Sequence, residues 1–230
     1  MNTNVNLELA IGVLAFLGSA FVLGLAALVV LHALKTRRLA RARKIGGAAL
    51  VGLGLYLALL LAFSFVSRER ALAFGEEKHF CEVDCHLAYS LTNIRKAKTL
   101  GHAPNEASAG GIFYVVTIKT RFDEKTISPT RGNAPLTPNS RVVTVLNEGG
   151  NSYDVSPEGQ RALDDSEGSG TTLTTALRPG ESYTTDLVFD LPPDIKNPEL
   201  FMREGAFVTH FIIGHENSFR HGKTKFRLES

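Results

Sequence analysis

The chain has 230 residues, 44% of them hydrophobic, and 25 Lys/Arg against 23 Asp/Glu give a net charge of only +2. Six of those basic residues and one acid (Glu8) fall in the first 67 positions, leaving 19 basic against 22 acidic side chains beyond them. The larger part is therefore mildly acidic, which excludes a phosphate-tracking nucleic-acid surface, and its about 160 residues suffice for one domain with its own core.

Leu9 to Leu34 carries no formal charge, with His32 its only titratable group, and Ile45 to Val66 carries none. Each exceeds the roughly 20 residues needed to cross about 30 Å of hydrocarbon, so two transmembrane helices are predicted, spans 9–34 and 45–66. Between them, loop 35–44 holds Lys35, Arg37, Arg38, Arg41, Arg43 and Lys44 and no acid. Short loops rich in Lys and Arg stay in the cytoplasm, which puts both termini and everything after Ser67 outside, and the basic cluster against anionic lipid headgroups. Met1 to Leu7 has no positive side chain, so the first span reads as a retained anchor rather than a signal peptide. Small residues at helical spacing, Gly54, Ala58 and Ala62 in the second span and Ala20 and Gly24 in the first, predict that the spans pack on each other. With no carboxylate, Lys or Arg inside either span, nothing marks an ion path, and a transporter or channel is disfavoured.

Residues 68–79 read as a polar juxtamembrane connector and 80–230 as one extracytoplasmic domain. There the period is two. Ile112, Tyr114, Val116, Ile118 and Phe122 share one strand face, Tyr183, Leu187, Phe189 and Leu191 another, and Val142 to Leu146 is a shorter run. Further strands are expected at Thr171 to Leu177, Ala206 to Ile213 and Lys223 to Leu228. Pro129 to Pro138, Glu148-Gly149-Gly150-Asn151 and Arg178-Pro179-Gly180-Glu181 supply turns, and Asp164 to Gly170 a polar flexible loop. About seven short strands without a long helical period indicate an all-β immunoglobulin-like sandwich.

The stretches Gly111-Ile112-Phe113-Tyr114-Val115-Val116-Thr117-Ile118, Leu177-Arg178-Pro179-Gly180-Glu181-Ser182 and Leu187-Val188-Phe189-Asp190-Leu191-Pro192 resemble the bacterial extracytoplasmic immunoglobulin-like domains of unknown function on lipoproteins and anchored surface proteins. The resemblance covers roughly half the chain. It implies a fold and a compartment, and no catalytic residues.

Phe80-Cys81-Glu82-Val83-Asp84-Cys85-His86 is the one segment with chemical potential, since thiolate and imidazole suit copper and zinc. On a strand, Cys81 and Cys85 stand about 13 Å apart and are small buried hydrophobes. In a helical turn their α-carbons approach about 6 Å, which admits a disulfide or a shared metal. Cys-x3-Cys-His is also similar to a lengthened haem c attachment motif. Hairpin plus sandwich resembles the layout of cytochrome oxidase subunit II, which implies copper; here Cys81, Cys85, His86, His215 and His221 are the candidate ligands. His210 reads instead as a half-core imidazole satisfied by a backbone carbonyl, and His215 reads first as a turn residue. No Ser, His, Asp set stands out, so hydrolase chemistry is unsupported.

The function these observations favour is a non-catalytic interaction or accessory subunit of a larger inner-membrane complex, not an enzyme, with no cofactor, and with lipids and membrane proteins as partners. The alternative is a copper-binding or redox protein. A ligand sensor is disfavoured, because the basic loop is too small for an output domain.

Overall fold

The computed structural model describes residues 7–80, 86–126 and 130–229. They form two compact units: one holds the two apolar helices and the segment Ala206–Gly222, the other runs from Glu69 to Gly205 and resumes at Lys223.

In the helical unit, α1 (Leu7–Lys35) and α2 (Leu39–Val66) are long and apolar enough to cross a bilayer. The connection is shorter than the sequence suggested. Only Thr36, Arg37 and Arg38 lie between the helices; Arg37 takes a left-handed φ of 55°, and the Thr36 hydroxyl donates to the His32 carbonyl at 2.9 Å. Arg41, Arg43 and Lys44 ride on the first turns of α2, because Arg and Lys are good helix formers and charge alone does not end a helix.

The helix seam also corrects an expectation. The sheltered side of α1 carries Gly12, Ser19, Ala26 and Ala33, one small residue every seventh position, with Phe16, Leu23 and Val30 between them; Gly12 is covered by Ile213 rather than by α2. This is the 3.5-residue repeat of left-handed helix packing. On α2 the sheltered positions include Ala42, Gly46, Ala49, Tyr56 and Leu60, and the Val30 side chain lies 4.0 Å from where a Gly46 Cβ would stand. Gly54, Ala58, Ala62, Ala20 and Gly24, expected to make the contact, are all exposed. Gly54 is two residues from Tyr56, about 200° around the helix, so that stripe points away from α1.

The β-sheet-rich unit contains β1 (Arg70–Leu72), β2 (Lys78–Phe80), β3 (Leu87–Leu100), β4 (Ala107–Phe122), β5 (Arg141–Leu146), β6 (Ser152–Tyr153), α3 (Pro157–Glu167), β7 (Ser182–Leu191), β8 (Glu199–Glu204) and β9 (Thr224–Arg227). The strands form two sheets, β1-β9-β8-β5-β6 and β2-β3-β4-β7, antiparallel throughout except for β1 beside β9. Tyr89, Val116, Ile118, Phe122, Phe189, Leu200, Met202 and Phe226 belong to one fully enclosed core. The segment read as a connector therefore supplies two strands, each only three residues long and too short to show a period.

An unexpected helix covers the other face of the second sheet. Ser156 caps α3, its hydroxyl accepting from Gly159 N at 3.2 Å, and Pro157 fills the first turn where its missing N–H costs nothing. Ala162 and Leu163 then pack on Phe113, Val115 and Val188. A Cβ on Gly159 would stand 2.6 Å from Val188, so glycine permits the close approach. Sheet β2-β3-β4-β7 is thus covered on both faces where α3 lies, which explains the continuous apolar run Ile112 to Val116. Asp164 to Glu167, expected in a loop, are the last turn of this helix.

Two expected strands are absent for a common reason. Within 171–177, Thr172 N donates to Thr175 Oγ1 at 3.1 Å and Thr175 N to Thr172 O at 3.0 Å, leaving a single bridge from Leu177 to Leu136. In 206–213, Thr209 Oγ1 donates to Ala206 O at 2.6 Å, and Phe207–Phe211 is a 3-10 helix. Local hydroxyl bonds compete with a ladder. Leu163→Ala should destabilise the β unit by about 2–5 kcal/mol, read as a lower thermal midpoint of the β-sheet circular dichroism; an unchanged midpoint would mean that α3 is not part of the packed fold.

Candidate functional site

Cys81 and Cys85 lie outside the described residues; the flanking strands β2 and β3 are antiparallel neighbours with Phe80 opposite Leu87. His86 is 6% exposed, stacked on Phe122 at 5.4 Å, with Nδ1 2.5 Å from Thr126 Oγ1. Thr126 spends its own proton on Asp123 O at 2.8 Å, so His86 Nδ1 is the donor in this bond and is taken by the protein.

His215 and His221 belong to the helical unit, whereas His86 belongs to the β unit. His215 is 7% exposed and its Nδ1 accepts from Asn217 N at 2.9 Å. The neutral ring then carries its proton on Nε2, leaving no lone pair for a metal. His221 Nδ1 donates to Gly222 O at 2.8 Å, and His210 Nδ1 to Phe207 O at 3.0 Å, the backbone satisfaction expected for His210. Among the described residues no group of three or more His, Cys, Asp or Glu is arranged to hold a metal.

The most unusual chemistry is a cluster the sequence did not signal. Lys78 is 5% exposed, and its Nζ donates to Met202 O at 2.8 Å and Thr224 O at 2.9 Å, joining β2 to the carbonyls of β8 and β9. Opposite each other on β5 and β8, Arg141 and Glu204 pair at 3.2 Å with side chains 3% and 8% exposed. The Arg141 guanidinium lies 4.1 Å over the Phe80 ring, which meets Tyr89 edge-on at 5.3 Å. Burial raises the Tyr89 phenol above its ordinary pKa, opposed by Arg141 and assisted by Glu204. Among the described residues the Arg141 Nε finds no hydrogen-bond partner, and Nη1 meets Glu204 as an ion pair rather than in hydrogen-bond geometry. The contacts described make this cluster a charged clamp across two sheets. A flanking groove of about 560 Å³ is lined by Arg141, Gln160, Asp164, Thr171, Thr185 and Asp186.

At the surface, Arg121 grips Glu77 through two bonds of 2.8 Å. The hydrogen bond from Arg121 holds the Glu77 carboxyl below the usual carboxylate range, against partial burial that raises it.

No protein-family model matches the chain, and no curated protein matches it. Among solved structures it is similar to a conserved hypothetical protein from Bacillus anthracis, 15% identical over 59% of this chain and 89% of that one, TM-score 0.41. An uncharacterized β-sandwich protein from Clostridium difficile 630 is 12% identical over 71% of this chain and 96% of that one, TM-score 0.38. A secreted protein from Mycobacterium tuberculosis is 12% identical over 68% and 97%, TM-score 0.40.

Two measurements check these arrangements. Arg141→Met should cost about 3–5 kcal/mol because the buried Glu204 carboxylate loses the guanidinium opposite it, and the double change with Glu204→Met should recover most of it; equal melting losses in both variants would refute the pairing. Glu77 has a depressed folded pKa, so its contribution is present above the unfolded carboxylate pKa and is lost as pH falls through the folded value. Arg121→Gln should therefore flatten the acid limb of the melting-midpoint profile, and an unchanged limb would count against the pair.

Proposed function

We propose that the two apolar helices cross a bacterial inner membrane as a hairpin, with the basic turn in the cytoplasm and both ends outside. The β unit is then an immunoglobulin-like sandwich in the extracytoplasmic space, and the protein acts as a non-catalytic accessory subunit of a larger membrane complex. The observation that carries this reading is the exposed small-residue stripe Gly54, Ala58 and Ala62, which faces away from α1. Beyond the adjoining backbone of its own helix, no described atom comes within 4 Å of where a Cβ at Gly54 would stand, nor at Gly18, Gly24 or Gly47. In lipid such a surface lets a further helix approach closely.

The sheet edges favour the same emphasis on the helices. The edge of β7 is occupied by Gln160, whose amide donates to Asp186 O and accepts from Val188 N, both at 3.1 Å. Beyond β2, the edge of β3 carries Arg95, Lys96 and Lys98 and two register shifts, features that discourage an added strand. Edge-strand recognition thus has less in its favour than helix docking. The copper or redox reading through Cys81, Cys85 and His86 gains no supporting contact among the described residues.

Ala58→Leu should abolish recovery of partner subunits from membranes solubilised in mild detergent while leaving the melting profile unchanged. Wild-type protein that repeatedly purifies alone, or partners indifferent to Ala58→Leu, would overturn the accessory reading.

A further inference from the structure

The segment Ala206–Gly222 leaves β8, folds as part of the helical unit, and returns at β9. Its backbone is a chain of turns. Thr209 N donates to Ala206 O, Ile212 N to Thr209 O, His215 N to Ile212 O, Ser218 N to His215 O and His221 N to Ser218 O, five bonds of 2.9–3.4 Å at every third residue. Side chains satisfy further groups: Ser218 Oγ donates to Ile212 O, Asn217 Nδ2 to Thr209 Oγ1 and Asn217 N to His215 Nδ1. Thr209, His215, Asn217 and Ser218 are all buried.

The apolar side chains are disposed the other way. Phe207 is 71% exposed and Val208 and Phe219 45% each, with Phe207, His210, Phe211 and Phe219 in ring contact at 5.4–5.6 Å. A water-facing loop has no reason to hide its polar groups and present its aromatics. In lipid the requirement is the reverse, since every backbone group must be satisfied within the protein.

The segment also sits on the apolar length of the helices. A Cβ at Gly12 would overlap the Ile213 carbonyl, and Tyr56 Oη donates to Phe211 O at 2.6 Å. Gly12 lies about 8 Å along α1 from Leu7, and Tyr56 about 15 Å along α2 from Val66, at 1.5 Å per residue. Gly222 N donates to Ser67 Oγ at 2.7 Å, anchoring the return of the segment at the end of α2.

We propose that Ala206–Gly222 is a membrane-dipping element whose Phe207, Val208 and Phe219 insert among the acyl chains of the outer leaflet. Its occupant is phospholipid, argued from continuity with the apolar helix surface on which it lies. Glu216 and Arg220 fall in the returning half of the segment, which ends beside Ser67 and so keeps these charges toward the interface. The inference rests on the reading that α1 and α2 span the membrane.

Because the chain has no tryptophan, a single Trp reports its own surroundings. The full-length variants Phe207→Trp and Phe219→Trp, with Phe21→Trp on the exposed middle of α1 as reference, are placed in nanodiscs of phosphatidylglycerol and brominated phosphatidylcholine. All three should lose emission to the bromines and resist aqueous iodide. If Phe21→Trp escapes bromine quenching, the spanning reading fails. If Phe21→Trp is quenched while Phe207→Trp and Phe219→Trp respond to iodide, or to neither quencher, the segment faces water or protein and the membrane-dipping proposal alone is overturned.

Discussion

Gln160 turns its side-chain amide onto the edge of β7 and completes the hydrogen bonds of Asp186 O and Val188 N that no neighbouring strand supplies. The requirement it meets, that a polar group shielded from water find a partner, shapes most of what packing leaves open. It places α3 against β7, because the residue that closes the edge also belongs to the helix that covers Val188. It holds Lys78 between Met202 O and Thr224 O, and it coils 206–222 into turns. Arg141 is the departure: among the described residues its Nε has no hydrogen-bond partner, and its guanidinium is held instead by the ion pair with Glu204 and the Phe80 ring. Such clusters contribute little net stability but tolerate few substitutions of one partner at a time.

Elements were legible from sequence where one physical signal acted alone. The helices followed from the absence of charge, and β4, β5, β7 and β9 from alternation or short apolar runs between breakers. Elements set by two competing signals were not. Thr172, Thr175 and Thr209 have β-branched side chains that suit strands, yet each hydroxyl bonds locally and wins where the ladder partner is far away in sequence. In α3 the Ser156-Pro157-Glu158 start was written plainly, but eleven residues rich in Asp, Glu and Ser read as a loop by composition. The seam of α1 was also present as Gly12, Ser19, Ala26 and Ala33; the four-residue spacing of Gly54, Ala58 and Ala62 concealed it by marking the opposite face.

The site residues divide in the same way. His210 could be read correctly because its needs are local. The ring contacts of His86 and His215 are less visible in the sequence, since they are set by Thr126, forty residues away, and by a turn at Asn217. Lys78 and Arg141 gave no signal at all: a lysine in a three-residue strand and an arginine opening a six-residue one look solvent-facing until the sheets close over them.

The two units obey opposite rules for polarity. In the β unit the apolar side chains of β4, β7 and β8 turn inward. In the helical unit Leu14, Phe21, Leu28, Leu50 and Phe65 turn outward, as Phe207 and Phe219 do on the 206–222 segment, while Ser64, Asn217 and Ser218 are enclosed. The change from one rule to the other falls where the chain passes between the units, at β1, β8 and β9. These strands are neighbours in one sheet, in the order β1-β9-β8, with Arg70 opposite Thr224 and Leu200 opposite Phe226. The excursion through 206–222 therefore begins and ends on adjacent strands, so its closure costs little chain entropy beyond that of a hairpin loop of its length. The same strands receive Lys78, which bonds the Met202 carbonyl of β8 and the Thr224 carbonyl of β9. The buried charge thus ties together the strands through which the chain passes between the two units.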